Sequence, residues 1–210
     1  MGRNIIISTA LLALFGLLGT SLVAVIHDNT RERIAANIEA ATLARLNEIL
    51  PEDLYDNDIL KDSLQVSDPL LGGDDLEVYL ARHQGDPVAA VFTVVARGGY
   101  SGDIHMLVGI FMDGRIAGTR VVAHRETPGL GDDIEATRSD WILGFNERSL
   151  ANPEQDLWAV RRDGGVFDQF TGATVTPRAV VRAVRNALLY FQAHGEDLFL
   201  VKTELENRAD

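Results

Sequence analysis

An uncharged apolar run at residues 5–26, beginning just after Arg3, constrains this chain more than any other feature. Its 22 residues, at about 1.5 Å of rise each, make a helix of about 33 Å, which matches a bilayer core. A cleaved signal peptide is the rival reading. That reading calls for a shorter apolar core and a small-x-small cleavage site, whereas this run exits through Val23-Ala-Val-Ile-His-Asp28. The pattern is that of a retained anchor over residues 1–27. Orientation is ambiguous by charge. Arg3 lies on one side, while Arg31, Arg33 and Arg45 lie on the other, so a strict positive-inside count puts the C-terminal side in the cytoplasm. Asp28, Glu32 and Glu39 interleave those arginines and weaken the count.

After the anchor, residues 30–50 carry an amphipathic helical pattern with Ile34, Ile38, Leu46, Ile49 and Leu50 as apolar positions, stopped by Pro51. Residues 52–75 are acidic and turn-rich, containing Pro69 and Gly72-Gly73, and read as an irregular connection. Residues 28–75 thus form a helix and acidic linker, and 76–210 form the main domain. Within it the predicted strands are 77–82, 88–96, 104–112 and 115–125, separated by Gly85-Asp86-Pro87, Gly98-Gly99 and Asp113-Gly114. Asp113-Gly114 is a good two-residue hairpin turn, and connections this short favour an antiparallel meander. Residues 139–145 read as helical, 157–161 as a further strand, and 177 to about 194 as a final helix. Strands followed by helices make the fold class α+β: a single membrane helix, then an antiparallel sheet with flanking helices.

Charge and composition exclude several functions. The chain of 210 residues holds 19 basic and 31 acidic residues, for a net charge of −12, which is opposite to what nucleic acid requires. With no cysteine, thiol catalysis, disulfides and iron–sulfur ligation by this chain are ruled out. The five histidines are scattered and form no helical His-x-x-x-His pair, so no metal site is expected.

The chemistry concentrates near Thr174, in the stretch Asp168-Gln-Phe-Thr-Gly-Ala-Thr-Val-Thr-Pro177. This is a small-residue loop running into a helix whose apolar stripe is Val180, Val181, Val184, Leu188 and Phe191. Thr176 reads as the N-cap and Pro177 as the first helical residue. Thr174 then stands just outside the positive end of a helix dipole, where an anionic group is favoured. Gly172 and Ala173 leave its hydroxyl open to a bulky partner, and Arg178 and Arg182 offer positive charge nearby. A phosphate-bearing group suits such a threonine. A capped loop with no function has the same appearance, and a bare threonine hydroxyl is a weak nucleophile without help.

Two further glycine-rich loops accompany it: Gly98-Gly-Tyr-Ser-Gly-Asp103 and Glu126-Thr-Pro-Gly-Leu-Gly-Asp132. Both expose backbone polar groups with little obstruction, as the edge of a flat polar ring requires, and Tyr100 can stack on such a ring. Taken singly, each is equally well a turn between strands. His124 and Glu126 are an acid–base pair or an incidental i, i+2 pair. A hydrolase with Thr174 or Thr171 as nucleophile and His124 as base, and a scaffold with no cofactor, stay open on the residues alone.

Together, the anchor, Gly99-Tyr-Ser-Gly-Asp-Ile104, Glu126-Thr-Pro-Gly-Leu-Gly-Asp132, Asp163-Gly-Gly165 and Phe167-Asp-Gln-Phe-Thr-Gly-Ala-Thr-Val-Thr-Pro-Arg178 resemble the G component of the Rnf (Rsx) ion-translocating electron-transport complex. The C component of the sodium-pumping NADH:quinone oxidoreductase is a more distant likeness and the nearest alternative. The resemblance implies FMN carried through a phosphoester on Thr174. It also implies non-covalent contacts from Thr171, Gly172, Ala173, Thr176, Tyr100, Ser101, Glu126, Thr127 and Leu130. Asp168, with Thr171-Gly172-Ala173, would be the recognition signal for an ApbE-type flavin transferase, which supplies the activation that the hydroxyl lacks. Thr171 stands where serine is frequent in the family, a conservative departure. The resemblance further implies a domain on the periplasmic side of the bacterial inner membrane, with the other proteins of the complex as partners. Electrons would pass between NADH and a ferredoxin-type acceptor. This chain would be a redox component of a translocase, with no complete active site of its own.

Overall fold

The computed structural model describes residues 2–209, so Met1 and Asp210, the outer limits of the anchor and the domain as read from sequence, lie outside the described residues. The side chains of residues 28, 29, 32 and 206–209, Asp28 and Glu32 of the charge count among them, are likewise not described. The chain divides into two compact units, Met1–Leu43 and Ala44–Asp210.

The first unit belongs to helix α1 (Gly2–Asn47). Its stretch Gly2–His27 is long and apolar enough to cross a membrane, and none of it is buried within the protein. Leu12, Phe15 and Val23 are each about two-thirds or more exposed, an apolar surface that water would not tolerate and lipid would. Within the run the Thr20 hydroxyl donates to the Gly16 carbonyl at 2.7 Å, which keeps that polar group paired in hydrocarbon. Ile34 and Ile38 are exposed, whereas Leu46, Ile49 and Leu50 are buried.

In the second unit, five strands form one antiparallel meander in sequence order: β1 (Ser63–Asp68), β2 (Gly73–His83), β3 (Asp86–Ala96), β4 (Ile104–Phe111) and β5 (Ile116–Ala123). One face, with Phe92, Val94, Met106, Val108 and Ile110, packs under helix α2 (Val175–Ala209) through Val180, Val184, Leu188 and Phe191. The other face receives Ile49. Gly109 and Gly118 are paired in the β4–β5 register, and a Cβ on either would lie 2.4 and 3.2 Å from Ile49 atoms. Only glycine leaves room for that contact.

Apart from shifts of a few residues at strand ends, three elements differ from the sequence expectation. Strand β1 lies in the segment read as irregular. It is short and flanked by acidic residues, but Leu64 and Val66 alternate inward onto the core and pair with Val78 and Leu76. Residues 157–161 are not a strand. They make only an isolated bridge from Val160 to Phe167 between short 3-10 helices at Gln155–Leu157 and Arg161–Asp163. The Gly164-Gly165 turn reverses the chain there, and a Cβ on Gly165 would sit 1.9 Å from the Ala159 carbonyl oxygen. Helix α2 begins at Val175 rather than Pro177 and continues past His194 to Ala209. Gly195 does not break it, because Leu198 and Phe199 carry the buried stripe onward. Residues 139–145 are helical as expected, as a 3-10 helix Asp140–Phe145 capped by the Ser139 hydroxyl, which accepts from Trp141 N–H at 3.2 Å.

Candidate functional site

Thr174 occupies the residue immediately before α2, and its carbonyl accepts the Arg178 N–H at 3.3 Å, the first helical bond. It is therefore the cap residue, and Thr176 sits inside the first turn, a correction to the sequence reading. The amides opening α2 have no carbonyl one turn back within the helix, and Pro177 removes one such donor without loss. Thr174 is partly exposed, and its hydroxyl, among the described residues, makes no hydrogen bond. Gly172, at φ +82°, gives the turn that presents it.

The loop preceding Thr174 is held from beneath by aromatic packing. Phe145 stacks on Phe167 at 4.7 Å between centroids, and Trp141 meets Phe170 edge-on at 5.1 Å. The Trp141 indole N–H donates to the Asp168 carbonyl at 2.8 Å, and the Asp168 carboxylate pairs with Arg161 at 2.8 Å in solvent.

The organising residue is Glu126, 5% exposed. Its Oε1 accepts the Ser101 backbone N–H at 2.9 Å, and its Oε2 accepts the Thr176 hydroxyl in a short bond. One carboxylate thus ties the Tyr100 loop, its own loop and the start of α2 together. Two glycines make space for it. A Cβ on Gly99 would stand 2.9 Å from Glu126 Oε1, and one on Gly131 would stand 2.9 Å from Oε2.

These three loops enclose a cavity of about 350 Å³ lined by Tyr100, Glu126, Thr127, Leu130, Gly131, Gly172, Ala173, Thr174, Val175 and Thr176. Of the residues expected at a site, Tyr100, Glu126, Thr127, Leu130, Gly172, Ala173, Thr174 and Thr176 are brought together here. Ser101 contributes its backbone amide to Glu126 rather than lining the cavity. Thr171 and Asp168 are exposed outside it. Gly131 and Val175 were not anticipated; the second glycine of the Gly129-x-Gly131 pair was the available signal. Of the two arginines expected to offer positive charge, Arg178 is paired with a carboxylate and Arg182 is turned to a backbone carbonyl. Arg178 forms a two-pronged pair with Asp163 at 2.6 and 2.9 Å, which lowers the Asp163 pKa chiefly through those hydrogen bonds. Arg182 donates to the Arg97 carbonyl at 2.9 Å.

His124 does not serve Thr174 as a base. It is absent from the cavity lining and is engaged on both ring nitrogens, with Nδ1 3.0 Å from the Glu126 N–H and Nε2 2.7 Å from Glu135 Oε1. The bond to His124 is the first cause of a lowered Glu135 pKa. What remains is an open hydroxyl at a helix N-terminus beside a cavity in the size range of small-ligand sites, walled by an exposed tyrosine, a leucine and glycines. These features fit a flavin mononucleotide: an anion-favouring end for the phosphate, and a mixed apolar and polar cleft for the ring.

A family model described as FMN-binding domain matches residues 99–189, and another, RnfG N-terminal region, matches residues 1–49. Relatives named as the G component of the ion-translocating oxidoreductase complex match along nearly the whole chain. The Pseudomonas aeruginosa protein is 48% identical, covering 93% of this chain and 92% of its own. That of Pseudoalteromonas atlantica is 44% identical over 94% and 93%, and that of Shewanella oneidensis 40% identical over the full length of both. The crystal structure of Shewanella oneidensis NqrC aligns over 73% of each chain at 22% identity with a TM-score of 0.46.

Proposed function

The chain belongs to the RnfG family of ion-translocating oxidoreductase complexes, and from that premise we propose how its site works. It is a membrane-anchored, FMN-bearing electron-carrier component of such a complex. FMN supplies reversible uptake and release of electrons, and the chain supplies its position and surroundings. Thr174 carries the cofactor through a phosphoester, with the amides opening α2 facing the phosphate. Tyr100 and Leu130 provide apolar walls for the ring, and the Glu126–Thr127 loop provides polar ones. A covalent tether suits a relay, because a carrier that loses its cofactor interrupts the path.

The unbonded hydroxyl of Thr174, a residue that lines the cavity, carries this reading. It is accessible to a modifying enzyme, and the histidine that a hydrolase would need is committed elsewhere. An ApbE-type flavin transferase recognising Asp168 and residues 171–174 accounts for the attachment, and the exposure of Asp168 and Thr171 favours such access. That enzyme's compartment puts the domain on the periplasmic side of the inner membrane. A phosphatase active only in the periplasm, fused to the C-terminus, would then be active; an inactive fusion with the protein present at full level contradicts that topology. The wider complex passes electrons between NADH and a ferredoxin-type acceptor.

The test is to purify the full-length chain after co-expression with the transferase and titrate it with reductant. A flavin absorbance of one FMN per chain that bleaches and returns on reoxidation is expected. A colourless chain, produced alongside a transferase that labels a control protein, contradicts the proposal.

A further inference from the structure

His124 directly follows β5, which stops at Ala123, two residues short of the sequence expectation. The reason is local: the ring folds back so that its own Nδ1 meets the N–H of Glu126 at 3.0 Å. Its side chain is only 10% exposed, and its other nitrogen meets Glu135 Oε1 at 2.7 Å. Glu135 is in turn held by the Thr137 hydroxyl at 3.2 Å.

These contacts determine the tautomer. An amide N–H can only donate, so Nδ1 must present its lone pair. A carboxylate can only accept, so Nε2 must carry the proton. The two partners therefore demand the same form of the ring. The Glu126 amide that Nδ1 receives belongs to the residue whose carboxylate gathers Ser101 N–H and the Thr176 hydroxyl at the cavity wall. A path of hydrogen bonds thus runs from the surface carboxylate of Glu135, through the imidazole, to the residue organising the site.

We propose that His124 is a positioning residue for the cofactor cavity: Glu135 holds its proton on Nε2, and the Nδ1 lone pair fixes the Glu126 backbone and thereby its carboxylate. This deepens the FMN reading above and rests on it. His124 touches neither Thr174 nor the cavity, so its influence on the bound ring passes through Glu126.

Three substitutions separate this role from a merely structural one. In His124→Asn the Oδ1 atom stands where Nδ1 stood and can still accept the Glu126 N–H. In His124→Gln the amide nitrogen can replace the donor to Glu135 but leaves the Glu126 N–H without its acceptor. His124→Ala removes both. Each full-length variant, co-expressed with the flavin transferase and purified in detergent, is assayed for covalent flavin, midpoint potential and thermal unfolding. The expected result is that His124→Asn keeps the wild-type potential, while His124→Gln and His124→Ala shift it in a common direction, whatever the ranking in stability. Loss of flavin labelling in those two with labelling kept in His124→Asn is the same ranking and supports the proposal. If His124→Asn shifts or loses labelling as His124→Ala does, or His124→Gln behaves as wild type, the proposal is overturned. In that case a wild type that still carries covalent flavin leaves the FMN reading intact. A wild type that stays dark overturns both.

Discussion

Glu126 illustrates how one buried carboxylate organises three loops. Its two oxygens answer two donors, Ser101 N–H and the Thr176 hydroxyl, so truncation to alanine strands both. At about 1–3 kcal/mol for each unsatisfied buried group, Glu126→Ala is expected to lose about 2 kcal/mol or more. For a chain of this size that lowers the thermal midpoint by about 4–8 °C. Glu126→Gln should lose less than half as much, because its amide can accept from Ser101 and donate to the Thr176 oxygen. Equal losses in the two variants would contradict this bonding pattern. Asp163 makes a second, pH-dependent prediction. Its pKa is lowered in the folded state by Arg178, so the pair's contribution is present above the ordinary aspartate range and disappears as pH falls through the folded value. Asp163→Asn should therefore unfold at a lower temperature than wild type near neutral pH, with the gap closing on acidification and narrowing in salt. A gap independent of pH would show that the ion pair is not its source.

At the scale of elements, the two ends of α2 do different work. The first turn serves the cavity, while the last turns are clamped to the sheet by Arg82. That guanidinium pairs with Asp62 at 2.9 Å, donates to the Phe199 carbonyl at 3.2 Å and lies 5.0 Å over the Phe199 ring. Arg82→Ala is expected to speed hydrogen exchange in α2 beyond Gly195 by about tenfold or more, as about 1.4 kcal/mol of local opening produces, while amides near Val180 and Val184 keep their protection. Uniform acceleration along the helix would mean that α2 opens as one unit. Much of this architecture was legible. Gly85-Asp86-Pro87 and Asp113-Gly114 marked the hairpins because turn geometry is local, and the apolar stripe from Val180 to Phe191 marked the helix. Strand β1 was not legible, since two alternating apolar residues in an acidic segment are too few to reveal a period. Nor was the extension past Gly195, which depends on partners contributed by β2. At the site, the loop residues were legible from glycine content and motif. Thr176 was misplaced as a cap because its hydroxyl serves Glu126, a contact spanning fifty residues that no spacing rule encodes. Gly131 stands against that same contact, and the His124 ring reaches Glu135 across an eleven-residue loop whose path the sequence pattern leaves open.

At the scale of the whole molecule, an apolar helix of membrane-spanning length and an acidic domain with a cleft that fits FMN describe a membrane-anchored electron carrier. The chain's strong negative charge favours solubility and repels phosphate backbones. The absence of cysteine leaves the chain with no thiol redox chemistry of its own, so its electron traffic depends on FMN, for which we propose Thr174 as the attachment point. The most direct test is flavin fluorescence in a denaturing gel, comparing wild type with Thr174→Ala, Thr174→Ser and Thr176→Ala, all co-expressed with a flavin transferase. The account predicts a fluorescent band at the full-length mass in wild type, none in Thr174→Ala, and a band retained in Thr176→Ala, with Thr174→Ser restoring labelling through its own hydroxyl. Fluorescence that persists in Thr174→Ala, or a dark wild type beside a labelled control protein, would contradict it.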